Sequence, residues 1–293
     1  MKILVVGAGS IGIYVGALLH AQGHDVTLLG RKKLKTLSDK ILIGKKAYSL
    51  PKKVYSFPKN KTYQVVFITS KLYDLQKNLK LILKNKIKTT YLVSIQNGMV
   101  EEDVYKPYLA HSSFAPISVF EGFRLVENKI LIAHGKTGWK TEKSPSGKVI
   151  ARMLKEAGIR CTTSSNIQRV KAEKTVMNCS VNILSAVEKK TLFELCTAPK
   201  TRRIVDNLFN ESYAVLDKEV KMKPRWILKA LFYSTLGRMK HYSSTYQDAI
   251  SGRKSEIWFL NGLIVRLGKK YHLSTSENER VLKKFIGLYP KSK

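Results

Sequence analysis

Cysteine is scarce. The 293-residue chain has three, Cys161, Cys179 and Cys196, too few and too scattered for a disulfide framework or a zinc site. They fit a reducing, cytoplasmic compartment. Acidic residues are short as well: 21 Asp and Glu stand against 53 Lys and Arg, for a net charge of +32. Such a surplus attracts polyanions. Yet the lysines are dispersed along the whole chain, with no basic tail, zinc-ligand spacing or RNP-type aromatic motif. No specific nucleic-acid partner is therefore expected despite the charge. Internal repeats and low-complexity linkers are missing, as are the compositions of disordered, collagen-like and coiled-coil chains. One uncharged run, ILVVGAGSIGIYVGALL at residues 3–19, is long enough to suggest a signal peptide or a membrane span. Four glycines punctuate it and a polar break at residues 20–24 follows. A strand, a tight glycine turn and a buried helix account for it better, so no membrane partner is expected.

What is present fits a folded protein of one large or two modest domains. Hydrophobic residues make up 44% and charged residues 25%, and a chain of this length buries roughly 75% of its unfolded surface. KILVV (2–6) reads as a short apolar strand, GAGSIG (7–12) as a turn, and the following residues to about 23 as a helix. DVTLLG (25–30) is then a second strand, which completes a strand–helix–strand unit. The glycine spacing has a mechanical reason. Gly7 permits the sharp turn, Gly9 lets the backbone approach a pyrophosphate, and Gly12 lets the helix pack closely on the strand. The turn Gly7-Ala8-Gly9-Ser10-Ile11-Gly12 then presents free N–H groups and the positive end of a helix dipole to phosphates.

An NAD-type site usually carries an Asp or Glu roughly 20 residues beyond the fingerprint, to bind the ribose hydroxyls. Here the second strand ends Leu29-Gly30-Arg31-Lys32-Lys33, with no acid until Asp39. This pattern predicts NADPH/NADP+, with Arg31 as the main contact to the 2′-phosphate and Lys32 as a helper; a merely solvated basic turn is the competing reading. VVFITS (65–70) and YLVSIQ (91–96) read as further strands, and an antiparallel stretch is expected around residues 114–120 and 129–135. Lys71 and Asn97 follow the first two of these at their carboxyl ends, where open α/β sheets bind ligands. An exposed lysine and a turn-forming Asn-Gly remain open as alternatives.

From about residue 166 the pattern turns helical, with sparse Pro and Gly, and the clearest boundary falls near residues 163–166. Helices are predicted over 170–187, 200–220, 224–238, 245–271 and 277–286. In the first, Lys174, Asn178 and Asn182 are four residues apart and share one face. A lysine and two amides in an otherwise apolar helix suit a pocket offering hydrogen bonds to a small polar substrate; an ordinary solvated face is the other reading. Glu256 is placed in the long helix 245–271, after Ser243-Ser244, and an exposed helix acid is its alternative.

In this order the pieces resemble the ketopantoate reductase (2-dehydropantoate 2-reductase) family over nearly the whole chain. The resemblance rests on KILVVGAGSIG, the Lys71 turn, QNGMVEED around Asn97, KTVMNCSVNILSA (174–186) and SSTYQDAISGRKSEIWFLNG (243–262). The last two are the specific ones, and Ser244 and Glu256 stand the family's twelve positions apart. Thr245, Ser255 and Trp258 depart from the family's usual Met, Thr and acidic residue.

The resemblance implies an α/β amino-terminal Rossmann-type domain with a mostly parallel sheet (residues 1–165), followed by an all-α carboxy-terminal substrate and catalytic domain (166–293). It implies NADPH-dependent reduction of 2-dehydropantoate to pantoate, a step toward pantothenate and coenzyme A. Lys174 and Glu256 match the catalytic positions, and Asn97, Asn178, Asn182 and Ser244 the substrate pocket. Gly7, Ala8, Gly9, Ser10, Ile11, Gly12, Arg31, Lys71 and Asn97 match the cofactor contacts. The chemistry agrees with the residue types. Hydride addition to a keto carbon leaves negative charge on oxygen, and a lysine, with a reference pKa near 10.4, offers both a cation and a proton there. No metal is required. Expected partners are a small 2-keto acid and, at most, a second copy, as monomer or homodimer. A different branched 2-keto acid, or a non-catalytic Rossmann-type protein that binds polyanions, are the competing functions.

Overall fold

A computed structural model describes residues 1–99, 102–133 and 138–292, with the side chains of Lys32, Lys33 and Glu102 outside that description. The chain divides into two compact units, Met1–Ile167 and Gln168–Lys293.

In the first unit the glycine fingerprint forms as its spacing requires: β1 (Lys2–Val6), α1 (Ser10–Ala21) and β2 (Asp25–Leu29) follow in order. Three short strands come next, β3 (Lys40–Ile43), β4 (Lys46–Ser49) and β5 (Lys52–Val54). Then follow β6 (Thr62–Ile68), α2 (Leu72–Lys84), β7 (Lys88–Ile95) and β8 (Ser113–Ser118). The unit continues with β9 (Gly122–Val126), β10 (Lys129–Ala133), β11 (Trp139–Glu142), α3 (Pro145–Glu156) and β12 (Cys161–Ser164).

Eight strands make one sheet in the order β12-β11-β8-β7-β6-β1-β2-β5. Every neighbouring pair is parallel except β11 with β8. Ile3, Leu4, Val5, Val65, Val66 and Phe67 are fully buried, because central parallel strands are covered on both faces and therefore read as continuous apolar runs. α2 shows the complementary pattern, with Leu72, Leu75, Leu79 and Ile82 buried at helical spacing. Strand order reverses between β1 and β6, and such a switch point opens a crevice at the carboxyl ends of the strands.

The antiparallel stretch expected around residues 114–120 and 129–135 is divided between two sheets, each segment finding its antiparallel partner elsewhere. β8 lies in the large sheet between β7 and β11, whereas β10 pairs antiparallel with β9 and parallel with β3 in a separate four-stranded sheet, β4-β3-β10-β9. The second sheet rests on aromatic packing: Phe123 of β9 sits 4.9 Å from Tyr14 of α1 and 6.0 Å from the buried Trp139. Burial, with the Glu121 carboxylate nearby, pushes the Tyr14 hydroxyl up to about 12.

The regular secondary structure of the second unit is all helical among its described residues. It comprises α4 (Ile167–Glu188, whose first residue closes the first unit), α5 (Leu192–Thr197), α6 (Pro199–Glu219), α7 (Arg225–Leu236), α8 (Ser244–Ile250), α9 (Asn261–Lys270) and α10 (Ser276–Leu288). A capping box starts α5, where Thr191 and Glu194 satisfy each other's backbone N–H groups at 3.3 and 2.8 Å. The long helix expected over 245–271 is a correction. α8 stops at Ile250, Gly252 turns left-handed at φ +61°, and Ser255 is pulled aside by two hydrogen bonds to the Ser292 carbonyl. A single 3₁₀ turn (Ile257–Phe259) then leads into α9.

All three cysteines are buried. Burial pushes the Cys161 thiol up to about 12 and the Cys196 thiol to about 11, and raises Cys179 as well. Since the thiolate is the nucleophile, a disulfide reagent at pH 8 should label the folded protein negligibly and titrate three thiols after denaturation. Rapid labelling of any one in the native protein would contradict this burial.

Candidate functional site

Within the first unit, hydrogen bonds tie the carboxyl ends of β1, β6 and β7 together. Gly7 leaves β1 at φ +114°, and its N–H and that of Ala8 donate to the Leu29 carbonyl at 3.0 and 3.2 Å. From the end of β6, Thr69 donates through its N–H to the Val6 carbonyl (2.9 Å) and through its hydroxyl to the Gly7 carbonyl (2.6 Å). At the end of β7, buried Gln96 donates to the Ser70 carbonyl (3.2 Å) and accepts from Ser94 (2.9 Å) and Tyr105 (2.7 Å).

A dinucleotide pyrophosphate fits this cradle on three observations. Gly9 caps α1 without a side chain, and a Cβ there would meet nothing within 4 Å, so the backbone faces open space. No acidic residue lies in the first turn of α1, so no charge opposes an anion at the positive end of the helix. The first N–H groups of a helix, here those of Ser10, Ile11 and Gly12, lack intrahelical partners and remain donors. Gly12, by contrast, is enclosed: its Cβ would stand 2.0 Å from the Gly7 carbonyl oxygen and 2.6 Å from the Thr69 hydroxyl.

The other residues predicted for this half lie along the same edge. Arg31 stands two residues past the end of β2 and forms an exposed ion pair with Asp74 in the first turn of α2. Lys71 is the residue that caps α2 after β6, and Asn97 follows β7 just before Gly98 at φ +79°. Both are half-buried, which is less exposure than a freely solvated lysine or turn asparagine would have. The helper assigned to Lys32 lies outside the described side chains, as do Val100 and Glu101 of the QNGMVEED segment.

In the second unit the predicted residues lie on α4. Lys174, Asn178 and Asn182 rise along one face, about 6 Å apart at each step. Lys174 and Asn178 are half-buried and Asn182 is buried. The helix's other buried hydroxyls are satisfied locally: Thr175 donates to the Lys171 carbonyl at 2.8 Å and Ser180 to the Val176 carbonyl at 2.7 Å. Such back-bonding leaves these two as structural. Glu173 is structural too, since it pairs with Lys223 at 2.6 Å on another face.

Two later segments dock on this stretch of α4. Ser243, nearly fully buried, donates through its hydroxyl to the Asn182 carbonyl at 2.7 Å and through its N–H to the Ser185 hydroxyl oxygen at 3.2 Å, and its hydroxyl caps α8 by accepting from the Tyr246 N–H at 3.1 Å. The adjacent Ser244 is exposed as the first residue of α8, so the anchoring belongs to Ser243, which the sequence reading passed over. Asn261 donates to the Cys179 carbonyl at 2.9 Å. Glu256 stands between these two anchors at the start of the 3₁₀ turn, only 6% exposed. It is therefore neither in a long helix nor an exposed helix acid. Among the described residues no group of His, Cys, Asp or Glu is placed to hold a metal ion, and no helix is long and apolar enough to cross a membrane.

Sequence reasoning missed the Gln96–Ser94–Tyr105 network and Asp74. The network left one signal, a Gln immediately before Asn-Gly at a strand end. Asp74 left none, because its partner is 43 residues away.

Comparison with known proteins covers both units. Residues 3–142 match the family model described as ketopantoate reductase PanE/ApbA, and residues 166–287 match the model for the ketopantoate reductase PanE/ApbA C terminal. A 2-dehydropantoate 2-reductase from Aquifex aeolicus (strain VF5) is 27% identical over 302 residues, covering 97% of this chain and 95% of its own. Among solved structures, a PanE/ApbA family ketopantoate reductase from Ralstonia eutropha JMP134 superposes with a TM-score of 0.85 at 24% identity, covering 99% of each chain. A D-mandelate dehydrogenase in a ternary structure with NADH and anilino(oxo)acetate has a TM-score of 0.86 at 23% identity, again covering 99% of each chain. At these identities the two structures speak for the fold.

Proposed function

Because the chain belongs to the ketopantoate reductase family, a family of oxidoreductases acting on CH–OH groups, we propose that it reduces 2-dehydropantoate to pantoate with NADPH, toward pantothenate and coenzyme A. The observation that carries this reading is the α4 face of Lys174, Asn178 and Asn182, with the Ser243 anchor at its far end and Glu256 buried between the docked segments. In this reading residues 1–165 hold the cofactor and residues 166–293 carry the catalytic residues and, with Asn97, hold the substrate, in the cytoplasm.

The bound nicotinamide supplies the hydride. The chain's residues supply the rest. Lys174 donates the proton to the oxygen on which negative charge develops, and its ammonium stabilises that charge before the proton moves. Asn97, Asn178, Asn182 and Ser244 hold the carboxylate and hydroxyl of the substrate, so that the keto carbon keeps one orientation. Glu256 favours the charged form of the lysine and accepts from the substrate hydroxyl. The turn from Gly7 to Gly12, Lys71 and Asn97 position the dinucleotide, and Arg31 receives its 2′-phosphate.

A second reading keeps the chemistry and changes the acid, since the fold is shared with a D-mandelate dehydrogenase. Following NADPH absorbance across a panel of 2-keto acids separates the two through kcat/KM. The expected result is the highest kcat/KM for 2-dehydropantoate; a higher value for an aromatic 2-keto acid would replace the substrate assigned here. Absence of turnover together with steeply salt-sensitive DNA binding would favour the polyanion reading instead.

A further inference from the structure

The second strand lacks the acid that ordinarily binds the adenosine ribose, yet the fold delivers one to the same edge from elsewhere. β1 lies between β2 and β6 in the sheet. Arg31 comes from the end of β2, Asp74 from the helix that follows β6, and their ion pair therefore spans the carboxyl end of β1, where the glycine turn begins. The Arg31 side chain is 78% exposed and that of Asp74 25%, so the guanidinium can be handed to a ligand while the carboxylate stays fixed in the first turn of α2.

We propose that Asp74 is a specificity-determining residue of the cofactor site: it competes with the NADPH 2′-phosphate for Arg31, and accepts a hydrogen bond from the ribose 2′-hydroxyl when NADH is bound instead. This inference rests on the reading that Arg31 faces the 2′ position of the adenosine. The chemistry is asymmetric. A phosphate dianion offers the guanidinium a bidentate partner of higher charge than a single carboxylate, but it must also approach the Asp74 charge. A hydroxyl donor meets no such repulsion, and a carboxylate accepts from it directly. Exposed ion pairs of this kind are weak, so Arg31 changes partner readily, and the pair lowers the preference for NADPH without abolishing it.

The competing explanation is that Asp74 only stabilises the amino end of α2, whose dipole favours an acid there. Titration of the full-length protein with NADPH and with NADH, read by cofactor fluorescence, separates the two. For Asp74→Asn, NADPH should bind about three- to fivefold tighter, the range open to one exposed ion pair, and NADH should bind more weakly. The ratio of the two affinities moves in NADPH's favour. A helix-stabilising role would change both affinities by the same factor and lower the melting temperature; that outcome, or an unchanged ratio, overturns the inference. Arg31→Gln tests the reading beneath it. A loss of NADPH affinity with little change for NADH sustains the placement of Arg31, and with it the interpretation of Asp74→Asn. Unchanged NADPH affinity in Arg31→Gln removes both together.

Discussion

Lys174→Ala should lower kcat for 2-keto acid reduction by on the order of 10²–10⁴-fold, the usual contribution of a positioned acid or base. The argument is electrostatic. A cation helps most where charge appears only as hydride arrives, so its removal should fall mainly on kcat and less on KM. Lys174 is half-buried on a helix whose buried neighbours Thr175 and Ser180 are hydrogen-bonded independently of it. Its truncation leaves those two hydrogen bonds in place. Lys174→Arg separates the lysine's two roles, because a guanidinium keeps the charge and does not give up a proton in this pH range. It should recover part of the electrostatic stabilisation and none of the proton transfer. Stopped-flow absorbance with saturating NADPH measures both variants; an undiminished kcat in Lys174→Ala would move the proton donor to another residue.

Legibility in the sequence followed locality. The β1 turn, α1 and β2 unit could be read because each requirement, from apolar run to glycine spacing to second strand, falls within about thirty residues. β6 and β7 declared themselves as apolar runs, and α4, α6, α7 and α10 as helix-compatible stretches sparse in Pro and Gly. The four-stranded sheet did not. Its strands are four or five residues long, and their burial is interrupted by exposed positions, as in β3 and β9. Such runs carry little signal, and the parallel pairing of β10 with β3 joins segments almost ninety residues apart.

The site shows the same division. Lys174, Asn178 and Asn182 were placed on one face by arithmetic, since they occupy a single helix. Glu256 was placed in the wrong element because an unbroken stretch of helix-compatible residues hid Gly252 and the tertiary hydrogen bonds of Ser255 to the Ser292 carbonyl. Helical propensity lost there to contacts that sequence order does not reveal. The residue types were legible, and the backbone that aims them was not.

The glycine turn permits a second large effect to be divided between folding and binding. Gly12→Ala should destabilise the first unit by about 1–3 kcal/mol or more, the usual cost of overpacking. The new methyl would sit 2.0 Å from the Gly7 carbonyl oxygen, which is backbone and held in place by the Thr69 hydroxyl. A loss of 3 kcal/mol corresponds to a fall of about 6–12 °C in melting temperature for a unit of this size. NADPH binding should fall with it, since the carbonyl that must move belongs to the phosphate-binding turn. Gly9→Ala is the control that gives the comparison its force. Its backbone, at φ −86°, suits alanine, and its Cβ would meet no protein atom within 4 Å. Thermal stability should therefore be preserved while NADPH affinity drops, because the methyl enters the space assigned to the pyrophosphate. Melting curves and NADPH titrations on both variants give four numbers. Binding by Gly9→Ala as tight as the parent's would show that the open face of the turn is not where the phosphates lie, whatever happens to Gly12→Ala.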